Sequence, residues 1–174
     1  MHIPIKGVGL MNLRVHTHSV KEDTMTNNNT NTIAMISKIQ ELVYTDPEQA
    51  IKDAVDNNIP LWKIDFTNAS LNGCDLSGKD FSGCCLLAAN LRGADLSGCK
   101  FQGASLKFAQ LQGADLIEAN LDGACLDRAF LMGANFSGAS FYRATMHAAW
   151  VRGATFTGAK HLDTCGQEDL EKKY

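Results

Sequence analysis

No stretch of the sequence approaches the roughly 18 consecutive apolar residues of a membrane span, so no membrane-embedded role is expected. A basic stripe is missing too. The formal net charge is −3, whereas direct binding to a nucleic-acid backbone ordinarily rests on clustered lysine and arginine. Residues 1–20, with Lys6, Arg14 and three histidines, lack the uninterrupted apolar segment of a secretory signal. Six cysteines in 174 residues are too sparse for a disulfide scaffold. These absences lead to the expectation of a reduced, cytoplasmic protein: one domain with a short appendage.

Catalytic constellations are scarce as well. No Ser/His/Asp set, phosphate loop or carboxylate pair stands out, so no catalytic residue and no cofactor is assigned and the chain is not expected to be an enzyme. His16 and His18 form the one pair with a metal-like spacing, but they lie in a polar leader, and no metal site is assigned. Cys84-Cys85 is not a C-x-x-C motif.

What the sequence does have is a period. In "GADLIEANLDGACLDRAFLMGANFSGAS" an alanine stands at every fifth position from Ala114 to Ala139. A large apolar residue follows each by two, from Leu116 to Phe141. Five is neither the 3.6 of a helix nor the 2 of a strand. The pattern runs from Ile64 to about Ala159, with Ala or Cys as the small partner almost throughout. A fixed period with a fixed size pattern predicts a repeat architecture.

Five residues can form one short extended edge plus a turn, and four edges close a square coil. The next coil then lies on the first at about the 4.8 Å of paired strands. A longer period supports this: Gly73, Gly93, Gly113, Gly133 and Gly153 recur every twenty residues, as a corner requiring positive φ would. Ala69, Ala89, Ala109, Ala129 and Ala149 form a second column. By this register Cys84 points inward and Cys85 outward. Cys74, Cys84 and Cys99 replace alanine as small core residues. Cys85 and Cys125 share an outer column two coils apart, about 9–10 Å, which is too far for a disulfide.

"GADLSG" (Gly93–Gly98), "ANLRG" (Ala89–Gly93) and "ANFSG" (Ala134–Gly138) carry a resemblance to the pentapeptide-repeat family, whose repeat is written A-(D/N)-L-x-x. The resemblance covers roughly 100 of the 174 residues. It implies an all-β solenoid, a right-handed quadrilateral parallel β-helix of about five coils. Lys79 at an inward small position and His161 at an inward large one are expected to mark its two ends, where a polar head can reach past the open coil.

Around the solenoid, residues 1–32 read as a disordered leader, 33–60 as a helical N-terminal cap, 61–163 as the β-helix and 164–174 as a C-terminal tail. In the cap, Ile36, Ile39, Leu42 and Val43 form one helical stripe. Thr45 or Asp46 would cap a second helix that turns Ala50, Ile51, Ala54 and Val55 inward. "VKEDTM" could be encoded with a bacterial ribosome-binding site just before Met25, which places the true start at Met25; the alternative is a genuine disordered tail. Solenoid ends expose strand edges, and the thin tail leaves room for a homodimer through the C-terminal end.

Function is expected on the outer surface. One face carries Arg92, Phe130, Met132, Trp150 and Arg152, and aromatics interleaved with arginine are typical of protein-binding hot spots. Folding of the C-terminal tail over Trp150 is the competing account. A second face reads Asp75, Asp95, Asp115, Asn135, Thr155, with Ser77, Ser97 and Ser137 beside it. The resemblance implies a role for such an acidic ladder, because some quinolone-resistance members of the family mimic duplex DNA and bind type II topoisomerases. Against this, Asp is what the repeat itself prefers there, bonding nearby backbone. Nine acids against eight bases between Ile64 and Asp163 also make a weak polyanion. The expected function is therefore a non-enzymatic rigid surface for an unidentified protein partner, with the DNA mimic as the alternative.

Overall fold

The computed structural model describes residues 29–162. The Met25 start, His16 and His18, and the 164–174 tail lie outside the described residues. Helix α1 spans Asn29–Leu42 and helix α2 spans Pro47–Asp56. Residues 29–32 therefore belong to the cap and not, as expected, to the leader. The polar tract alone would not hold a helix, but Ile36, Ile39, Leu42 and Val43 one turn further on pack on the core and extend the helix backwards.

Asp46 caps α2, its carboxylate accepting the Gln49 N–H at 3.1 Å, and Pro47 follows at a position where no N–H is needed. Ala50, Ile51 and Ala54 are buried, as their spacing predicts. Val55 is not: it is 50 % exposed. Ala50, Ala54 and Ile51 fall within about 100° of helix surface, and Val55 lies about 40° beyond Ile51, past the edge of that stripe.

From Asp65 onward the chain forms parallel bridges, each to the residue twenty positions later: Asp65 to Cys85, Ser70 to Asn90, Asp75 to Asp95, Asp80 to Lys100, and so on to Ser140 with Lys160. Four bridge columns five residues apart define four sides. The first holds Asp65, Cys85, Ser105, Cys125 and Thr145. The second holds Ser70, Asn90, Gln110, Phe130 and Trp150. The third begins at Asp75 and the fourth at Asp80. Each corner closes with a short backbone bond such as Ala69 N–H to Phe66 O at 3.0 Å, and the corners from Asn68 to Gly138 also bond to the next coil, as Asn68 N–H does to Leu87 O at 2.9 Å.

The narrow interior takes only the small–large alternation. The five-residue series of Leu and Phe from Phe66 to Phe141 is fully buried, beside Ala69, Ala89, Ala109 and Ala129. Phe81 stacks on Phe101 at 5.5 Å and Phe136 on Phe156 at 5.1 Å, ring over ring from coil to coil. Cys74, Cys84 and Cys99 are buried in the alanine places; Cys85 and Cys125 are half-buried and unbridged. Burial pushes the Cys84 thiol up to about 12 and the Cys99 thiol to about 11. No polar or charged residue is buried among those described.

The two end markers behave differently. Lys79 is half-buried in the first coil. His161, expected to point inward, is exposed, and its ring meets Tyr142 edge-on at 5.6 Å. The last bridge among the described residues ends at Lys160, one residue earlier. There the backbone takes φ 60° and leaves the inward register.

Candidate protein-interaction face

The second side and its two corners gather the predicted binding residues. Phe130 and Trp150 are bridge partners in successive coils, and their rings stack with centroids 6.3 Å apart. Trp150 is 52 % exposed and Phe130 half-buried. Met132 and Arg152 flank them at the following corner, one coil apart. Arg92 lies on the same corner in an earlier coil, and its Nε donates to Gln112 Oε1 at 3.2 Å. The five predicted residues thus share one side, with Arg92 set apart from the other four.

The corner preceding this side holds residues that the sequence reading missed. Phe108 is exposed, with Lys107 Nζ 5.6 Å and Arg128 Cζ 5.7 Å from its ring centre. Here all five corner residues have positive φ and none is glycine: Asn68, Ala88, Phe108, Arg128 and Ala148. At the other corners this place is glycine with few exceptions, such as Glu118 and Arg143. A side chain in the left-handed region costs about 1–2 kcal/mol, so this corner carries side chains at a place where glycine would be easier. The signal was available: the twenty-residue glycine column at Gly73 has no counterpart five residues earlier.

The acidic ladder is a column, as expected, with Asp75, Asp95, Asp115, Asn135 and Thr155 bridged in turn. Its carboxylates are tied to their own corners. Asp75 Oδ1 accepts from the Ser77 N–H at 3.0 Å and the Ser77 hydroxyl at 2.7 Å; Asp95 does the same with Ser97, and Asp115 accepts the Ile117 N–H at 3.0 Å. The Ser77 hydroxyl holds the Asp75 carboxyl below the usual carboxylate value. Asn135 repeats the arrangement with Ser137. From Asp75 to Asn135 each side chain of this column therefore holds its own corner.

No group of three or more His, Cys, Asp or Glu side chains is placed to hold a metal among the described residues. Nor is any described helix long and apolar enough to cross a membrane.

The bridge pattern and the inward small–large alternation define a pentapeptide solenoid. The family model for pentapeptide repeats matches residues 63–98, 94–132 and 128–158, with 8 copies. The matched stretch is more than half of the 174 residues. The chain belongs to the pentapeptide-repeat family, whose fold is the right-handed quadrilateral β-helix. Solved structures with local similarity include a pentapeptide repeat protein from the Arabidopsis thaliana thylakoid lumen, 35% identical over 57% of this chain and 73% of that one, TM-score 0.37. HetL from the cyanobacterium Nostoc sp. strain PCC 7120, a protein involved in heterocyst differentiation regulation, is 26% identical over 56% of this chain and 57% of its own, TM-score 0.30. QnrB1, a plasmid-mediated fluoroquinolone resistance protein, is 25% identical over 53% of this chain and 58% of its own, TM-score 0.33. No curated protein sequence matches the chain.

Proposed function

We propose that the protein is a non-enzymatic cytoplasmic module that binds a protein partner through the second side of the solenoid. The observation that carries this reading is the Phe130–Trp150 stack, set beside Met132 and Arg152 on one rigid side. Aromatic and arginine side chains supply most of the energy at protein interfaces, and a rigid scaffold spares the ordering cost of binding. The test is capture of partners from host lysate by wild type, by Trp150→Ala/Arg152→Ala and by Asp75→Ala/Asp95→Ala/Asp115→Ala. A partner lost with the first variant and retained with the second supports the reading. Equal capture by both variants sinks it.

The acidic ladder favours a second reading, a DNA mimic acting on a type II topoisomerase. Its support is the bridged row Asp75–Asp95–Asp115. Against it stand the corner hydrogen bonds of those carboxylates and the overall charge of −3. Gyrase supercoiling assayed with purified protein at low salt is expected to show no inhibition at micromolar levels. Inhibition that disappears in the Asp75/Asp95/Asp115→Ala variant would promote this reading over the first. A homodimer through the C-terminal end belongs to the same proposal, and sedimentation equilibrium tests it.

A further inference from the structure

The net charge conceals a segregation of charge. The second side and its two corners carry Arg92, Lys107, Arg128 and Arg152 against Asp127 alone. Asp127 is already engaged, its Oδ1 lying 3.1 Å from His147 Nδ1 and accepting the His147 N–H at 3.0 Å. The adjoining third side carries Asp75, Asp95 and Asp115 with no base in its column. A chain of net charge −3 thus presents a basic, aromatic side.

We propose that the occupant of this side is an acidic protein segment carrying apolar side chains, its carboxylates meeting Lys107, Arg128, Arg92 and Arg152 and its apolar groups resting on Phe108 and Phe130. The inference rests on the protein-binding reading above and specifies the chemistry of the partner. Charge complementarity is the first argument: long-range attraction to this side is felt by an acidic ligand and opposed for a basic one. The second is geometric. The coils are about 4.8 Å apart and an extended strand advances about 3.3 Å per residue. A segment of roughly four residues therefore spans the two-coil distance from Phe108 to Trp150. Alternate residues of such a segment face the same way, so acidic and apolar groups can address the cation rows and the aromatic row separately.

A single-stranded nucleic acid is also anionic and also seeks aromatic rings, but it needs open ring faces on which bases can stack. Here cations lie over the Phe108 ring, and the Trp150 indole is stacked on Phe130. Both cations lie against Phe108, and Phe130 takes one face of the Trp150 indole, so a base would have to displace cations or share a face, whereas carboxylates meet the charged heads directly. Placement argues the same way. Phe108 and Arg128 occupy left-handed corner positions, at φ 59°, that suit glycine better. They give this corner both its cation and its ring.

The test uses the full chain and fluorescence anisotropy with three labelled probes: a short peptide alternating glutamate with leucine, the same peptide with glutamine in place of glutamate, and an oligothymidylate. The acidic peptide is expected to bind about tenfold more tightly than the neutral one at low salt, and to weaken as salt rises. Lys107→Glu/Arg128→Glu should cut that binding by about tenfold or more. Phe108→Gly should also weaken it. Because glycine relieves the corner, loss of binding there cannot be ascribed to unfolding, and a thermal melt at or above wild type confirms this. Three outcomes overturn the inference: no preference for the acidic peptide, binding indifferent to the charge reversal, or oligothymidylate bound as tightly and lost in the same variants. If Trp150→Ala/Arg152→Ala still abolishes capture of a host partner while the acidic probe is inert, this inference fails and the protein-binding reading stands.

Discussion

The side-chain amide of Gln40 pairs with the backbone of Asp65: its Nε2 donates to the Asp65 carbonyl at 2.7 Å and its Oε1 accepts the Asp65 N–H at 2.8 Å. Within the solenoid each bridge residue from Asn90 to Lys160 makes the same two bonds to the coil before it. Asp95, for example, gives its N–H to Cys74 O and takes the Leu76 N–H on its own carbonyl. Asp65 stands at the beginning of this series, and a side chain of α1 takes the place of the missing coil. The cap thus covers the apolar end and closes a strand edge that would otherwise invite pairing with another chain.

Gln40→Met keeps the shape and removes both bonds. It should destabilise the protein by about 1–2 kcal/mol, the net value of two hydrogen bonds at a half-buried site. Gln40→Glu keeps the acceptor and sets a carboxylate against the Asp65 carbonyl, so it should be no better. Urea melts of the three proteins check this. A Gln40→Met protein with wild-type stability would show that the pairing is incidental.

The register of the core can be tested in one pair of neighbours. Leu111 is fully buried and Gln112 is not. Leu111→Asp removes roughly 2 kcal/mol of burial and inserts an unpaired charge, so a loss of several kcal/mol is expected. Gln112→Asp should change stability by under about 0.5 kcal/mol. Denaturant midpoints that move equally for both would contradict the five-residue period.

That period made most of the solenoid legible, because a coil this narrow admits only one size at each inward position. Leu111 and Phe136 were readable for the same reason as Ala89 and Gly73: each place has a steric requirement that recurs. The cap was readable where chemistry is local, as at Asp46, and not where packing decides, as at Asn29 and Val55. Phe108 escaped because the sequence marks its corner only by what is missing, the glycine that fills the same place at most other corners; the positive φ in the structure shows what that lack means. Gln40 is one glutamine on a helix, and its role needs the position of Asp65 to be known.

Thiol chemistry should follow burial. Cys84 and Cys99 are buried, with thiols pushed up to about 12 and about 11, and the Cys99 thiol donates to Leu76 O at 2.9 Å. Under native conditions near neutral pH, maleimide should label Cys85 and Cys125 well before either, as peptide mass mapping would show. A raised thiol value means that the folded state keeps its proton after the unfolded chain has lost its own. Stability should therefore fall as pH rises from 9.0 toward about 12. Early labelling of Cys84 would mean that the coil opens there.

Asp75 has the opposite sign. The Ser77 hydroxyl, and then the Ser77 N–H, hold its carboxyl below 3.8. A depressed carboxylate stabilises the fold at neutral pH, and that contribution is lost as pH falls through the folded value. Ser77→Ala should return the Asp75 titration, followed by the carboxylate carbon shift, toward the ordinary value. No movement on removing the hydroxyl would assign the depression to some other group.

Glycine should help at one corner and be needed at the next. Ala88 sits at φ 55° and Gly93, five residues on, at φ 62°. In Ala88→Gly the left-handed strain of about 1–2 kcal/mol is relieved. The extra freedom given to the unfolded chain takes back about 0.4–1 kcal/mol. A net stabilisation of about 0.5–1 kcal/mol is expected. Gly93→Ala should do the reverse by a similar amount, and purely through the backbone, since a Cβ at Gly93 would meet nothing within 4 Å. Thermal and urea melts of the two single variants measure both changes. If Ala88→Gly destabilises the protein, the half-buried methyl contributes more by packing than its backbone costs, and this corner is built for stability. If it stabilises, the second side carries its side chains against the preference of the fold, which is the expected mark of a surface kept for binding.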